Sequence, residues 1–338
     1  MRALITGGLG FVGSNLADRL LHEGHEVVLF DNLSRAGVHK NLDWLCQRHP
    51  QLSFFAGDIR DARAVEQAMR GTDCVFHLAA QVAVTSSIAN PREDFEINAQ
   101  GTLNVLEAGR QQHPYPVVLY TSTNKVYGGL ETTRVVEKET RYMAPDLPYG
   151  VPETWPLDFH SPYGCSKGSA DQYVRDYHRI YGLPTIVFRM SCIYGPRQFG
   201  NEDQGWLSHF VLRTLRGDPL TIYGDGKQVR DVLYVDDLTE AMIRAVAAIR
   251  TTAGRVYNIG GGPANAISVW YDFRQYLQDT LGSLPKVEFR EWRPGDQRVY
   301  ISDIRRARRE FGWQPKISPD DGIRRLVAWG HEAIRLIP

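Results

Sequence analysis

Tyr163 and Lys167 stand four residues apart in the stretch His160-Ser161-Pro162-Tyr163-Gly164-Cys165-Ser166-Lys167-Gly168. Ser161 and Pro162 read as a helix start: a hydroxyl N-cap, then proline at the first helical position, where a missing N–H costs nothing. The four-residue spacing then puts phenol and ammonium on one helical face. A free tyrosine, with a pKa near 10, is a poor base at neutral pH. An ammonium about 5 Å away, at an effective dielectric of about 20, favours the phenolate by roughly 3 kcal/mol, or about two pKa units. That expectation brings Tyr163 within reach of general acid–base work. Such pairs also arise by chance on surface helices, so the weight rests on what positions this one. Cys165 lies between the two in sequence but off their face, and reads as packing.

The positioning elements begin at the N-terminus. Arg2 to Thr6 is a short apolar strand, followed by Gly7-Gly8-Leu9-Gly10-Phe11-Val12-Gly13 and an amphipathic run to about His22. Val27 to Phe30 is a second strand, ending at Asp31. Strand, glycine turn, helix, strand and acidic residue make a mononucleotide-binding βαβ unit. Gly7, Gly10 and Gly13 let the backbone approach a pyrophosphate at a helix N-terminus, where free N–H groups and the helix dipole favour anions. The spacing is G-x-x-G-x-x-G rather than the commoner G-x-G-x-x-G. The Asp31 carboxylate suits an adenosine ribose diol and repels a 2′-phosphate, which favours NAD over NADP, although Arg35 blunts the preference.

The alternation continues with a strand at Leu52–Phe55, a helix at about 61–70 and a strand at Cys74–His77 that runs into Leu78-Ala79-Ala80-Gln81. Asp58 and Ile59 sit where an adenine ring would be flanked. Asn90-Pro91-Arg92-Glu93 is a capped helix start, and that helix runs to about Arg110, carrying Asn98. Val117–Tyr120 is the next buried strand and delivers Thr121-Ser122-Thr123-Asn124-Lys125. Glu131 to Trp155 reads as an irregular excursion that covers the site. Thr185–Arg189 is a further strand; beyond it come a helix at Trp206–Arg216, a strand at Leu220–Tyr223 and a turn at Gly224–Lys227. This rhythm predicts an α/β chain with a Rossmann-type doubly wound parallel sheet, whose ligands bind at the carboxyl ends of the strands. A smaller mixed α/β C-terminal substrate domain completes it. The expected boundaries are 1–190 for the NAD-binding part, with a return segment about 229–258, and 191–228 with 259–338 for the substrate part.

Composition narrows the class. With 338 residues, 43% hydrophobic and 23% charged, the chain suits one large or two interlocked globular domains. Lys+Arg and Asp+Glu balance at 39 each, so nothing recommends nucleic acid or an anionic membrane as partner. The four cysteines form no metal-ligand spacing, which argues against a metal site and for a reducing compartment. Met1-Arg2 leads straight into a strand without an apolar signal segment, so the cytoplasm is expected.

Thr-Gly-Gly-x-Gly-Phe-x-Gly at 6–13, Asp31-Asn32-Leu33, Asp58, His-Leu-Ala-Ala at 77–80, Asn98 and Tyr163-x-x-x-Lys167 together resemble the extended short-chain dehydrogenase/reductases. The likeness runs nearly the whole length, through Tyr194-Gly195-Pro196-Arg197, Gly224 to Asp231 and Arg293-Pro294-Gly295-Asp296, and points to the nucleotide-sugar epimerase and dehydratase branch. It implies that Thr123, Tyr163 and Lys167 are the catalytic triad, with Thr123 orienting the substrate oxygen. It implies NAD contacts from Gly7, Gly10, Phe11, Val12, Gly13, Asp31, Asn32, Ser34, Arg35, Asp58, Ile59, Leu78, Ala79, Ala80 and Asn98, besides Tyr163 and Lys167. Arg230 and Arg293 would hold a diphosphate and Asp296 a nucleotide ribose. Gln81, Lys125, His160, Gln198, Gln204 and Tyr223 would surround the rest of the substrate, although Lys125 and His160 read equally as a rim charge and a hydrogen-bonded imidazole.

Sugar 4,6-dehydratases of this family follow the threonine with Asp-Glu, since eliminating water needs an acid and a base. Here Asn124-Lys125 stands instead, an amide and a cation. Oxidation and re-reduction of a sugar carbinol need neither carboxylate, so epimerisation survives. The stretches 122–128, 157–168 and 203–206 resemble the 2-epimerases of CDP-linked 3,6-dideoxyhexoses. A C4 epimerase of a UDP- or GDP-linked hexose is the alternative within the class. A non-catalytic NAD-sensing protein of the same fold is the alternative outside it. By analogy with relatives, a homodimer or homotetramer is expected.

Overall fold

The computed structural model describes residues 1–293 and 296–335. The first half alternates as expected: β1 Arg2–Thr6, α1 Phe11–His22, β2 Glu26–Asp31, α2 Val38–Arg48, β3 Ser53–Ala56, α3 Ala62–Met69 and β4 Cys74–His77. Then come two short helices, α4 Val84–Ala89 and α5 Pro91–Phe95, a π-helical turn over Glu96–Gln100, α6 Gly101–Arg110 and β5 Val117–Thr123. A small antiparallel hairpin follows, β6 Val136–Glu137 with β7 Tyr142–Met143. The long helix α7 Ser161–Tyr181 leads to β8 Thr185–Met190, β9 Cys192–Tyr194, α8 Trp206–Arg216, β10 Leu220–Tyr223 and β11 Val229–Tyr234. The chain ends through α9 Val235–Ala247, α10 Ile249–Thr252, β12 Arg255–Ile259, β13 Ala266–Ser268, α11 Tyr271–Leu281, β14 Val287–Arg290, β15 Val299–Tyr300, α12 Arg305–Phe311 and α13 Pro319–Ala333.

Seven strands pair in the order β12-β8-β5-β4-β1-β2-β3, all parallel. Parallel sheets are covered on both faces, which is why their strands read as unbroken apolar runs rather than alternations. β1 shows it: Ala3 and Ile5 enter one apolar layer, with Leu16, Leu20 and Met242, while Leu4 enters the other, with Val105, Val174 and Val187. Each buried Leu, Ile, Val or Met among them contributes roughly 1.5–3 kcal/mol by leaving water. The buried His77 ring ties the sheet to α6, with Thr6 Oγ1 at 2.7 Å and Thr102 Oγ1 at 3.0 Å. The chain order reverses between β1 and β4, and the crevice at that switch point is where such sheets take ligands.

The second body is built from separated pieces. β11 pairs with β9, β13 and β15, and β10 pairs with β14. Trp206 meets Phe210 and Phe273 edge-to-face, and those two rings are tilted against each other. Of the expected return segment about 229–258, β11 is thus hydrogen-bonded into the smaller sheet, α9 packs on α1, and β12 is the edge strand of the large sheet. Residues 131–155 do not cover the cleft, contrary to the sequence expectation. Their polar groups are drawn to the smaller body instead: Tyr142 donates to Asp225 at 2.5 Å and Arg141 to the Ala266 carbonyl at 2.7 Å.

Candidate active site

A cleft of about 1340 Å³ runs across the carboxyl ends of β1, β2, β4 and β5 and under the smaller body. Its floor is the glycine turn. Gly7 has φ +67°, and a Cβ there would stand 2.7 Å from the Ala79 nitrogen; one on Gly13 would stand 2.3 Å from the Gly7 carbonyl oxygen. Side chains are therefore excluded where turn and helix meet. Helix α1 starts at Gly10 with no side-chain cap and no acidic residue in its first turn, leaving its N–H groups for an anion. Asp31 stands at one side, its carboxylate fixed by the N–H groups of Leu9 at 3.1 Å and Leu33 at 2.9 Å. Asn32 donates to Asp58 at 3.0 Å, and Arg60 pairs with Asp58 at 2.7 Å, which holds that carboxyl well below the usual range.

The reactive end lies where β5 meets α7. Ser161 holds φ +66°, a left-handed conformation unusual outside glycine, and its hydroxyl accepts from the Gly164 N–H at 3.2 Å, so it caps the helix as read from sequence. Tyr163 and Lys167 are both buried on the cleft wall, with Thr123 beside the phenol. The Lys167 ammonium stacks over the Tyr120 ring at 4.3 Å. The expected lowering of the phenol's pKa is not found in the chain alone. Burial pushes Tyr163 up to about 12, against the Thr123 hydrogen bond, and pulls Lys167 down to about 7. Both shifts have one main cause: burial disfavours the charged form of either group.

The far end is a lattice of charges. Arg230 is buried and pairs with Asp296 at 2.6 Å. Arg293 lies 4.1 Å over the Tyr223 ring and donates to the Glu202 carbonyl at 3.1 Å, with the Asp203 carboxylate at 3.5 Å. Tyr223 donates to Glu202, and Arg35 reaches across from the Asp31 side to Gln204. Lys125 lines the middle of the cleft; burial and the nearby Arg230 charge lower its pKa. His160, at the rim, pairs with Asp158 at 3.1 Å.

The NAD-dependent epimerase/dehydratase family model matches residues 3–260. The chain belongs to this family. CDP-paratose 2-epimerase of Salmonella typhi is 46% identical over 336 residues, 97% of this chain and 99% of its own. Among solved structures, UDP-glucose 4-epimerase of Thermotoga maritima with UDP-glucose superposes with a TM-score of 0.83 at 31% identity, covering 99% and 100% of the two chains. The Thermus thermophilus UDP-glucose 4-epimerase complex with NAD gives 0.81 at 32% identity, covering 98% and 100%.

The family's cofactor is NAD, and the residues present fit it. The glycine cradle would be filled by any Cβ, the first turn of α1 is uncapped, and the buried Ser122 hydroxyl on the cleft wall has no protein partner. Gly7, Gly10, Phe11, Val12, Gly13, Asp31, Asn32, Ser34, Arg35, Asp58, Ile59, Leu78, Ala79 and Ala80 all line the cleft, as expected from sequence. So do Thr123, Lys125, Gln198, Gln204, Tyr223, Arg230, Arg293 and Asp296.

Two expected residues are off the wall. Asn98 is buried and clamps the 78–81 loop, accepting from the Gln81 N–H and donating to the Gln81 carbonyl, both at 3.0 Å. Gln81 turns its amide onto Ala83 instead of a sugar, at 2.8 and 2.9 Å. Gln198 lines the cleft with its amide already committed to Ile193 and Ser208. Cys165 is exposed rather than packed. Pro294 and Gly295 of the Arg293-to-Asp296 motif, and residues 336–338 of the expected second domain, lie outside the described residues.

Glu202 and Asp203 line the cleft without having been foreseen, because loop residues between elements carry no periodic signal, and so does His209 on the first turn of α8. Asp94 was missed too; an acidic residue one turn past a helix cap reads as surface. Among the described residues no His/Cys/Asp/Glu group is arranged to hold a metal, and no helix is long and apolar enough to cross a membrane.

Proposed function

We propose that the chain epimerises C2 of a CDP-linked 3,6-dideoxyhexose through a transient 2-keto sugar. One observation carries the choice of reaction. The strand end that bears Thr123 presents Asn124 and Lys125 to the cleft, where elimination needs a carboxylic acid and a carboxylate. The 46% identity to a CDP-paratose 2-epimerase supports the carbon and the nucleotide. A C4 reaction on a UDP-sugar is the second reading, favoured by the likeness to UDP-glucose 4-epimerases, since the catalytic groups serve either carbon.

Gly7 to Gly13 would hold the NAD pyrophosphate, Asp31 the adenosine ribose, and Lys167 the nicotinamide ribose. NAD would supply, when bound, the reversible hydride acceptor and the positive charge of its oxidised nicotinamide. Tyr163 takes the proton of the reacting hydroxyl and gives it back, and Thr123 aims that hydroxyl at the phenolic oxygen. Arg230 and Arg293 fix the diphosphate, leaving the sugar free to present either face. The buried wall keeps water from the ketone.

The test offers CDP-, GDP-, UDP- and dTDP-hexoses in turn and follows the configuration at each ring carbon by NMR in D₂O. Inversion at C2 of a CDP-sugar without solvent deuterium there is expected; deuterium at C2 means deprotonation, and inversion at C4 selects the second reading. A cytoplasmic homodimer or homotetramer is the proposed setting, supported by the exposed Ile88, Phe95, Tyr173 and Ile180 on α4, α5 and α7. A monomer in sedimentation removes it.

A further inference from the structure

Asp94 lies in α5, one turn before Asn98 in the π-helical turn, and is 1% exposed. Both carboxylate oxygens are engaged: Ser166 Oγ donates at 2.5 Å and Asn98 Nδ2 at 3.1 Å. Both donors are neutral. A buried carboxylate is expensive: burial raises the Asp94 pKa, and the Lys167 charge works against that rise. Ser166 is followed in sequence by Lys167, itself 3% exposed.

The groups facing Lys167 can be taken in turn. Asp171, on the same helix, is already neutralised by Arg189 of β8, which donates to it at 2.8 and 2.9 Å. His77 of β4 is neutral between its two threonines, burial holding its pKa near about 3. Tyr120 of β5 offers its ring face, and Tyr163, raised by burial in the chain alone, brings no negative charge there. Asp94 and Asp171 both oppose the effect of burial on Lys167, Asp94 the more strongly, and Asp171 is the one shared with an arginine.

We propose that Asp94 is a positioning residue of the reaction: aimed by Ser166 and Asn98, its carboxylate is the countercharge that keeps the buried Lys167 ammonium cationic and in place. The π turn is part of the device, since the extra residue in that turn changes which side chains face α7. The proposal rests on the epimerase reading for its consequence, while its physical core concerns Lys167 alone. Removing the negative charge makes Lys167 lose its proton at lower pH, so activity that depends on the ammonium is lost at lower pH as well.

The experiment uses full-length protein carrying its NAD and ¹³Cε-labelled lysine, with the Lys167 resonance assigned by its absence from Lys167→Arg. In Asp94→Asn that resonance titrates about one pH unit or more below wild type. Its kcat falls about tenfold at pH 7 with KM little changed, the deficit widens as pH rises, and Asp94→Glu restores part of both. An unchanged Lys167 midpoint in folded Asp94→Asn overturns the proposal. If Asp94→Asn does not fold, Ser166→Ala, which removes the aiming hydrogen bond, must shift the midpoint in the same direction, and no shift overturns it equally. A shifted midpoint in an enzyme that epimerises none of the offered sugars upholds the role of Asp94 and sinks the functional reading instead.

Discussion

The two ends of the cleft are built on opposite plans. At the reactive end, backbone and regular elements do the positioning: Gly7 and Gly13 bring turn and helix into contact, and Thr123, Tyr163 and Lys167 are buried on β5 and α7. At the nucleotide end, long side chains from several loops brace one another: Arg230 on Asp296, Arg293 on Asp203 and Tyr223, Gln204 on Arg35. The first plan gives fixed geometry and few charges, because every charge there loses its hydration. The second gives charges that partner each other and that, on the proposed reading, a diphosphate would compete for. Chemistry therefore sits on the sheet, and recognition on what can be rearranged above it.

The largest blow to this contrast falls on Tyr163. Tyr163→Phe is expected to cut kcat about 10³-fold, the scale of general acid–base assistance, with KM nearly unchanged and NAD still co-purifying. Turnover near wild type in steady-state assays ends the assignment. Arg293→Met should do the reverse, raising KM about 30-fold, or about 2 kcal/mol of charged hydrogen bonding, and leaving kcat within a few-fold. A fall in kcat alone would place Arg293 in the chemistry and break the division.

The sheet itself has an acid limit. His77 holds a pKa of about 3 against an ordinary 6.5 because it is buried. The unfolded chain takes up that proton as pH falls below 6.5, and the folded chain refuses it until about 3, so stability is lost on the way down. About 2 kcal/mol should be gone by pH 5 through this residue, read from urea midpoints, with a flatter profile in His77→Gln. The smallest effect sharpens the comparison most. Asp203→Asn removes one of the two exposed carboxylates beside Arg293, so CDP, measured calorimetrically, should bind about two- to fivefold tighter at low salt and cytidine no tighter. Weaker CDP binding would make Asp203 a substrate contact instead of a competitor.

Much of the reactive end was legible from residue order. The glycine turn, Asp31 and the strand-helix alternation dictate a Rossmann-type unit because only that arrangement buries those apolar runs on both faces. Four-residue spacing dictates a shared face for Tyr163 and Lys167, and Asn124-Lys125 speaks against elimination by charge type alone. Asn98 and Gln81 show the limit. An amide near a cofactor loop reads as a ligand contact, yet a buried loop's own N–H and C=O groups must be satisfied first, and these two residues do that. The excursion at 131–155 was misplaced for a similar reason, since its partners at 225, 227 and 266 are far along the chain.

What the order of residues determined by itself is local and periodic: the βαβ start, the helix that carries the phenol and amine, and Arg230 and Arg293 within their motifs. What only the tertiary structure decided is non-local. Burial raises Tyr163 and lowers Lys167 where sequence spacing alone forecast an acidic phenol. Asp94, 73 residues before Lys167 in the chain, is brought against the catalytic helix through Ser166. Spacing along a helix fixes which groups can meet, but the dielectric around them, and so their charge, is set by everything packed on the other sides.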